Sequence, residues 1–292
     1  MKPLLLLTEH LRFSNNARRR AWLLSTSLWL GLSSTGCTLP AANPLPYRDA
    51  EQQRWAATLL STPAVTPHWE QLVLTGKRSE PFKPTHILGQ AALQVQANHS
   101  VSILRQRFEG GLSAVGKLTF SWKIDVLPMA FDLRDPQAED SPVRVVLAFG
   151  GDRSRLDART NRLSELSRLL TGEELPYATL AYVWSAREPL ETVVNNPRTD
   201  RIRKLVVETG TMSLGQWLRY ERDVRQDFIR AFGEEPGPLM AVALMTDTDN
   251  TSSQLQAWYG RLRLEAADLR HEPHGQTVLP PSLGNQGEAF LR

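Results

Sequence analysis

Pro238–Glu265, PLMAVALMTDTDNTSSQLQAWYGRLRLE, contains the three parts that decide the fold. Leu239–Met245 is an apolar run far shorter than the roughly 20 residues that span a bilayer, so it predicts a buried strand. Thr246–Ser253 is a loop rich in carboxylate and amide side chains, called the acidic loop below. Leu255–Leu264 predicts a second strand, with a bulge or a register slip at Gly260. The acidic loop between these strands is compatible with a metal site, a ligand-binding rim or an elaborate turn.

Strand-like segments recur along the chain from Trp69 onward. Within Gly116–Val126, a strict period-two series of apolar residues predicts a strand with one face buried in a sheet. The series consists of Leu118, Phe120, Trp122, Ile124 and Val126. Further strands are predicted at Trp69–Leu74, His86–Gln96, Val101–Phe108, Pro142–Phe149, Leu180–Trp184 and Ile202–Glu208.

Three segments have the spacing of amphipathic helices: Asp49–Ser61, Arg155–Leu170 and Trp217–Phe232. In the last, one stripe carries aromatic and apolar residues and Gly233 is placed to cap the C-terminus. The stripe consists of Trp217, Tyr220, Val224, Phe228 and Phe232. Many short strands with few helices predict an all-β fold, an antiparallel jelly-roll-like β-sandwich with two or three peripheral helices.

The amino terminus has the features of an export signal. Arg18–Arg20 precede an apolar stretch that ends in small residues and Cys37, the only cysteine. Gly36-Cys37 resembles a lipobox, so we predict a periplasmic lipoprotein acylated at Cys37; an ordinary cleavage site or a twin-arginine signal are the alternatives. The predicted organisation is an export signal at 1–36, a tether with a short helix at 37–66, a β-sandwich at 67–267 and a loose tail at 268–292.

The charge distribution does not indicate nucleic-acid binding, so we predict no nucleic-acid partner. The whole chain has a formal net charge of +3, but residues 1–36 hold five basic side chains against Glu9, which leaves −1 for the remainder. Nucleic-acid binding requires a concentrated basic face, which this balance does not indicate. Membrane contact is predicted through the lipid anchor alone.

No nucleophile elbow, zinc-protease or P-loop motif occurs in the chain. An acid/base pair is available in principle from a group of carboxylates in the middle of the chain. A glycosidase requires two such groups roughly 5–10 Å apart across a cleft, which the sequence alone does not reveal. The candidates are Asp125, Asp132, Asp135, Glu139 and Asp140.

Five motifs together resemble the bacterial family catalogued as domain of unknown function 3047. They are S-W-K-I-D at Ser121–Asp125, A-Y-V-W at Ala181–Trp184, R-D-V-R-Q-D-F at Arg222–Phe228, F-G at Phe232-Gly233 and M-T-D-T-D-N-T at Met245–Thr251. The resemblance implies an exported β-sandwich similar in pattern to carbohydrate-binding jelly rolls, which use exposed aromatics with loop carboxylates or amides and often hold a structural calcium. It implies no catalytic residues.

Asp247, Asp249 and Asn250 are the candidate ligand-binding residues of the acidic loop. An EF-hand is excluded, because the Gly and Glu that its loop requires are absent. Asp247 and Asp249 remain candidate calcium ligands if another loop, such as Asp132–Asp140, lies alongside; the alternative is that Asp and Asn only cap backbone N–H groups. Trp184 and Trp258 are the candidate sugar-stacking aromatics, since both lie at strand or loop margins. Tyr182 and Tyr259 are further aromatics of interest, whereas Trp122 is predicted to be core.

The leading prediction is therefore a non-catalytic, exported β-sandwich that binds a glycan or another cell-envelope ligand. A polysaccharide hydrolase using loop carboxylates and a structural, partner-binding lipoprotein are the two alternatives. An open groove with a carboxylate pair would favour the hydrolase, and a flat aromatic strip would favour the glycan-binding module. A large apolar patch would favour the partner-binding protein.

Overall fold

The computed structural model describes residues 68–113 and 115–266. Its strands are β1 (Trp69–Leu72), β2 (Lys83–Ile87), β3 (Gln90–Asn98), β4 (Val101–Leu112), β5 (Val115–Ile124), β6 (Ser141–Phe149), β7 (Ala178–Ser185), β8 (Val193–Asn195), β9 (Ile202–Thr209), β10 (Leu218–Asp223), β11 (Leu239–Asp247), β12 (Gln254–Tyr259) and β13 (Arg263–Ala266). The helices are α1 (Ala158–Thr171) and α2 (Val224–Phe232), and a 3₁₀ turn spans Arg153–Arg155. Within these residues no helix has both the length and the apolarity to cross a bilayer.

The strands form two sheets that pack face to face. Sheet A has the order β10-β5-β12-β3-β2, with β13 also paired to β5, and sheet B has the order β1-β4-β11-β6-β7-β9-β8. Successive strands repeatedly change sheets, from β3 in sheet A to β4 in sheet B and back to β5. All pairs are antiparallel except β7 with β9. The predicted all-β, jelly-roll-like sandwich is confirmed.

One core lies between the sheets, and the period-two series of β5 points into it. Leu118, Phe120, Trp122 and Ile124 are each at most 1% exposed, as predicted. The series ends there, because β5 stops at Ile124 and Val126 is exposed. Alternation alone thus identified the inward face of the strand, since successive side chains of a strand point to opposite faces.

Two predicted elements were wrong. His86–Gln96 is a hairpin instead of one strand, because Leu88 and Gly89 both adopt positive φ between β2 and β3. The first part of the predicted Trp217–Phe232 helix is the strand β10, which pairs with β5 and places Tyr220 against Phe120. Only Val224–Phe232 is helical. Asp223 caps its start by accepting from the Gln226 N–H, and Gly233 ends it in the left-handed conformation, as predicted.

The face of sheet B that points away from the core is partly covered. Segment 127–140 lies over its β7–β9 half, where Leu133 packs against Ala181, Val183 and Val206. Helix α1 and segment 173–177 flank the other half. The predicted helix at Asp49–Ser61, Cys37 and the predicted tail all lie outside the described residues.

Candidate functional site

The acidic loop is held by hydrogen bonds from another segment of the chain. The Asp140 carboxylate accepts from the Asn250 N–H at 3.3 Å, from the Thr251 N–H at 2.8 Å and from the Thr251 hydroxyl at 2.6 Å. Segment 132–140 therefore does lie alongside the acidic loop. Asp140 thus caps backbone N–H groups of the acidic loop, a role proposed above for the loop's own Asp and Asn residues.

Asp140, Asp247 and Asp249 come together at this loop. One carboxylate oxygen from each lies within 4.8 Å of the others, which is compatible with a hard cation such as calcium. Two cationic side chains already accompany them: Arg144 donates to Asp247 at 3.2 Å, and Lys77 pairs with Asp249. Burial raises the pKa of Asp247 well above its usual range, Arg144 opposes that effect, and Asp249 and Asp140 add to it. A bound cation would compete with Lys77 for Asp249.

A buried ion pair continues this cluster beneath segment 127–140. Lys204 is 1% exposed, and its ammonium donates to Glu139 at 2.7 Å and to the Leu133 carbonyl at 2.9 Å. Burial lowers the pKa of Lys204 to about 8, although the Glu139 carboxylate favours its charge. Asn196 also donates to Glu139. These groups fasten the segment to sheet B.

The candidate stacking aromatics are buried. Trp184 is 1% exposed and donates its indole N–H to the Gly210 carbonyl at 2.9 Å. Trp258 is 5% exposed, with the Lys123 ammonium 4.3 Å from its ring centre. Tyr182 donates to Asp227, and Tyr259 donates to the Met245 carbonyl. Each of these rings is engaged in packing or internal hydrogen bonds, so none offers an open face to a ligand at the surface.

A groove instead lies on the face of sheet A that points away from the core. We call it the Trp217 groove; its volume is about 710 Å³. Four parts of the chain form it: the β2–β3 hairpin, the middle of β5, the start of β10 and the link from β12 to β13. The lining consists of Pro84, Thr85, His86, Gly89, Gln90, Ala91, Ala92, Thr119, Ser121, Trp217, Leu218, Arg219, Arg261 and Arg263.

The groove exists because the chain leaves the ladder at Gly260. β12 pairs with β5 as far as Tyr259, and pairing resumes only at Arg263, so residues 260–262 form the bulge predicted from the sequence. The Gly260 N–H donates to the Ser121 carbonyl at 2.9 Å. A Cβ on Gly260 would lie 2.2 Å from Gln90 Nε2, 2.2 Å from Ser121 Oγ and 3.2 Å from Trp217 Cζ3. Any larger residue at position 260 would have to displace these side chains.

Trp217 stands at the wall of the groove, just before β10. Its ring is half-buried, and its indole N–H points to the Ile87 carbonyl at 3.4 Å. Across the floor, the Gln90 amide donates to the Ser121 hydroxyl at 3.2 Å. The groove thus combines a restrained aromatic ring with amide and hydroxyl groups carried on paired strands.

The lining is rich in hydrogen-bond donors and cationic. Arg219, Arg261, Arg263 and His86 are exposed, and the described part of the chain contributes no Asp or Glu to the lining. A two-carboxylate mechanism would need such a pair. Arginine, amide and hydroxyl groups suit a ligand rich in hydrogen-bond acceptors.

An amide row continues from the groove along the same face of sheet A. Gln94 and Gln96 of β3 lie beside Trp258 and Gln256 of β12, and Gln254 follows. The four glutamines line two smaller hollows, of about 70 Å³ and 550 Å³. Glu80 lines both hollows, and Lys83 lines the smaller one. The outer face of sheet A is consequently a polar surface over most of its length.

A second groove, the apolar hollow, lies on the outer face of sheet B beside α1. Its volume is about 610 Å³, and Ile103, Val146 and Met245 contribute to its floor. At one end, Arg105 bonds to Glu70 and Glu173 at 2.7 Å each, and Arg107 pairs with the same two carboxylates. The charges at this end are matched two to two, so the hollow presents a mainly apolar surface.

Sequence reasoning missed the groove because it assigned Trp217 to a helix stripe. The signal was present: Leu218–Asp223, LRYERD, alternates inward and outward residues like a strand. A glycine, Gly215, lies two residues before Trp217. Together these features mark Trp217 as the aromatic residue at the beginning of an edge strand.

Comparisons with known proteins give one family and several distant structures. A family model described as "Protein of unknown function (DUF3047)" matches residues 67–263. None of the curated proteins matches the chain. The solved structures with similarity include the xyloglucanase domain of NopAA, a type three effector from Sinorhizobium fredii, at 8% identity and TM-score 0.37, covering 69% of this chain and 94% of that one.

Two further similar structures are also of carbohydrate-active proteins. A non-crystalline cellulose specific carbohydrate-binding module, CBM28, has 11% identity and TM-score 0.32, covering 68% of this chain and 87% of that one. The family 11 xylanase from Neocallimastix patriciarum has 12% identity and TM-score 0.34, covering 69% of this chain and 92% of that one. Similarities of this size carry no argument about function.

Proposed function

This chain belongs to the DUF3047 family, and we propose that it is a non-catalytic, exported protein that binds a glycan along the outer face of sheet A. The observation that carries the proposal is the Trp217 groove. It places a half-buried indole ring beside amide, hydroxyl and guanidinium donors in one cleft of about 710 Å³.

The groove has the two chemical elements that a sugar ring requires. A pyranose has an apolar face of C–H groups, which packs on an aromatic ring, and a rim of oxygens, which accept hydrogen bonds. Trp217 supplies the ring, and Gln90, Arg219 and Arg261 supply donors. Because these residues lie on or next to paired strands, the sheet positions them rigidly.

The amide row supports binding of a chain in preference to a single sugar. Gln94 and Gln96 are two residues apart on β3, and so are Gln254 and Gln256 on β12. Side chains two residues apart on one face of a strand are separated by roughly 7 Å, so the row offers repeated amide donors and acceptors. A polysaccharide starting at Trp217 would continue along this row.

The hydrolase alternative is less well supported by the same geometry. None of the described residues that line the groove is a carboxylate. Asp247 and Asp249 of the acidic loop are already engaged by Arg144 and Lys77, and the neighbouring Asp140 accepts from backbone N–H groups. The apolar hollow is the feature that fits the alternative of a protein partner. It lies on sheet B, on the opposite side of the sandwich from the Trp217 groove.

Export and lipid anchoring complete the proposal. The amino-terminal signal and Cys37 would tether the sandwich in the periplasm, where cell-envelope glycans are within reach. Incorporation of labelled palmitate into the wild type, but not into Cys37→Ala, is the expected result. Absence of label in the wild type removes the anchor from the proposal.

A glycan array followed by titration calorimetry on the full chain tests the binding function. We expect Trp217→Ala to weaken binding of the selected glycan at least tenfold, which corresponds to about 1.4 kcal/mol. Trp217→Phe should weaken binding less, because phenylalanine retains an aromatic face. Met212→Ala serves as the matched control, since Met212 is 90% exposed and lies outside the groove.

A reducing-sugar assay run on the same glycans separates binding from hydrolysis. Binding without release of reducing ends supports the proposal, whereas release at an enzymatic rate supports the hydrolase alternative. If no glycan binds, or if Trp217→Ala binds as tightly as the wild type, the Trp217 groove is not a carbohydrate site.

A further inference from the structure

Three arginines line the Trp217 groove, and two of them are unpaired within the described part of the chain. The side chains of Arg219 and Arg261 form no ion pair or hydrogen bond there, although the Arg219 charge helps to lower the pKa of Glu221. Arg263 pairs with Glu265 at 3.3 Å. The apolar hollow shows the contrast, because both of its arginines, Arg105 and Arg107, bond to carboxylates. The cationic character of the Trp217 groove is therefore not balanced by its own walls.

The arginines stand on both sides of one strand. Arg219 of β10 is paired opposite Ser121, and Arg263 of β13 is paired opposite Thr119, with β5 between them. Neighbouring strands are roughly 4.8 Å apart and two residues along a strand span roughly 7 Å, so the two backbone positions are about 12 Å apart. Long guanidinium side chains at that separation can close on a sugar residue from two sides.

We propose that the Trp217 groove selects glycans that carry an anionic group, a carboxylate or a phosphate, on the sugar residue that stacks on Trp217. This inference rests on the proposed glycan-binding function and adds the chemical class of ligand. Guanidinium groups bond to both kinds of oxyanion through paired N–H donors, and such charge-assisted bonds are stronger than neutral ones. Within residues 68–113 and 115–266, no carboxylate lines the groove to repel the anion.

A polynucleotide also combines anionic groups with stackable rings, but the groove suits it less. Single-strand binding surfaces align several aromatic rings with a continuous basic track. Here a single Trp is followed by the amide row, and the hollows beyond it are lined by Glu80 and Asp125. Arg78 and Lys83 also line these hollows, but Arg78 pairs with Glu80, so the basic side chains do not form a continuous track along the described part of this face.

The test compares polysaccharides that differ only in charge, using the full chain. Polygalacturonate and its fully methyl-esterified form share one backbone, and a phosphomannan with its unphosphorylated mannan forms a second pair. Wild type is compared with Arg219→Gln, Arg261→Gln and the double variant. Arg162→Gln is the control, because Arg162 is an exposed arginine on α1, outside the groove.

We expect at least a tenfold preference for the charged member of one pair, lost in the double variant, retained in the control and reduced by added salt. The pair that shows the preference identifies the anion as carboxylate or phosphate. Equal, Trp217-dependent binding of charged and neutral members overturns the anionic class while leaving glycan binding intact. No binding to any polysaccharide refutes both, and tighter binding of a single-stranded oligonucleotide refutes the choice of a glycan.

Discussion

Gly260→Ala tests whether the bulge between β12 and β13 builds the Trp217 groove. The added Cβ would lie 2.2 Å from both Gln90 Nε2 and Ser121 Oγ, well inside van der Waals contact. Both atoms are side-chain ends, so they can swing away, but doing so breaks the Gln90–Ser121 hydrogen bond. Trp217 Cζ3, at 3.2 Å, must also shift by a few tenths of an ångström.

The cost follows from these contacts. Loss of one partly buried hydrogen bond costs about 0.5–1.5 kcal/mol, and a displaced rotamer adds about 0.5–1.5 kcal/mol. We therefore expect Gly260→Ala to lower the free energy of unfolding by about 1–3 kcal/mol and Tm by about 2–12 °C for a domain of this size. Glycan affinity should fall at least tenfold, because Trp217, Gln90 and Ser121 all move.

Thermal unfolding by circular dichroism and titration calorimetry measure the two effects on the same sample. Replacing Gln90 and Ser121 by Ala removes the two closest contacts, so Gly260→Ala should be less destabilising in that background than in the wild type. If Gly260→Ala changes neither Tm nor affinity, the chain does not pass as closely beneath Trp217 as the geometry requires. An equal loss in both backgrounds contradicts the contact argument.

Three further predictions concern the charged groups beside segment 127–140 and the acidic loop. Lys204→Met leaves Glu139 buried without its cation and should destabilise the protein by about 3–5 kcal/mol. In urea unfolding, the Glu139→Gln/Lys204→Met double variant should recover most of the lost stability, and equal destabilisation of both variants contradicts the pairing. Burial lowers the pKa of Lys204 to about 8, so between pH 8 and the ordinary pKa near 10.5 the unfolded state holds the proton and the folded state does not. The free energy of unfolding of the wild type, relative to that of Lys204→Met, should therefore increase with pH across that window. A decrease refutes the prediction. If the acidic loop binds calcium, added calcium should raise Tm more in Lys77→Met, which frees the Asp249 carboxylate, than in the wild type. Asp249→Asn should abolish the increase. If calcium shifts Tm in none of these proteins, the acidic loop is not a calcium site.

Local pattern was sufficient where one property decides the outcome. Leu118, Phe120 and Trp122 alternate with polar residues, and a strand can bury only one such set, so their inward orientation followed directly. The bulge at Gly260 and the cap at Gly233 followed from the same kind of local signal. Trp217 shows the opposite case, because its spacing also fits a helix and only the pairing of β10 with β5 excludes it.

Exposure was harder to predict because it depends on what covers each face. Trp184 points into the core between the sheets, and its indole N–H donates to the Gly210 carbonyl. Trp258 lies beneath the Lys123 side chain. The groups that bury these two rings are distant from them in sequence, so both residues were open candidates for stacking until the sheets were assembled.

The sequence by itself determined the sandwich, the inward face of its central strand and the acidic loop, because each depends on interactions within a few residues. Only the tertiary structure decided which aromatic faces solvent and which polar groups share a groove. The Trp217 groove gathers residues near positions 90, 120, 218 and 262, and their proximity depends on strand order and register. Pairing over such separations is set by burial of the whole core, which no local pattern encodes.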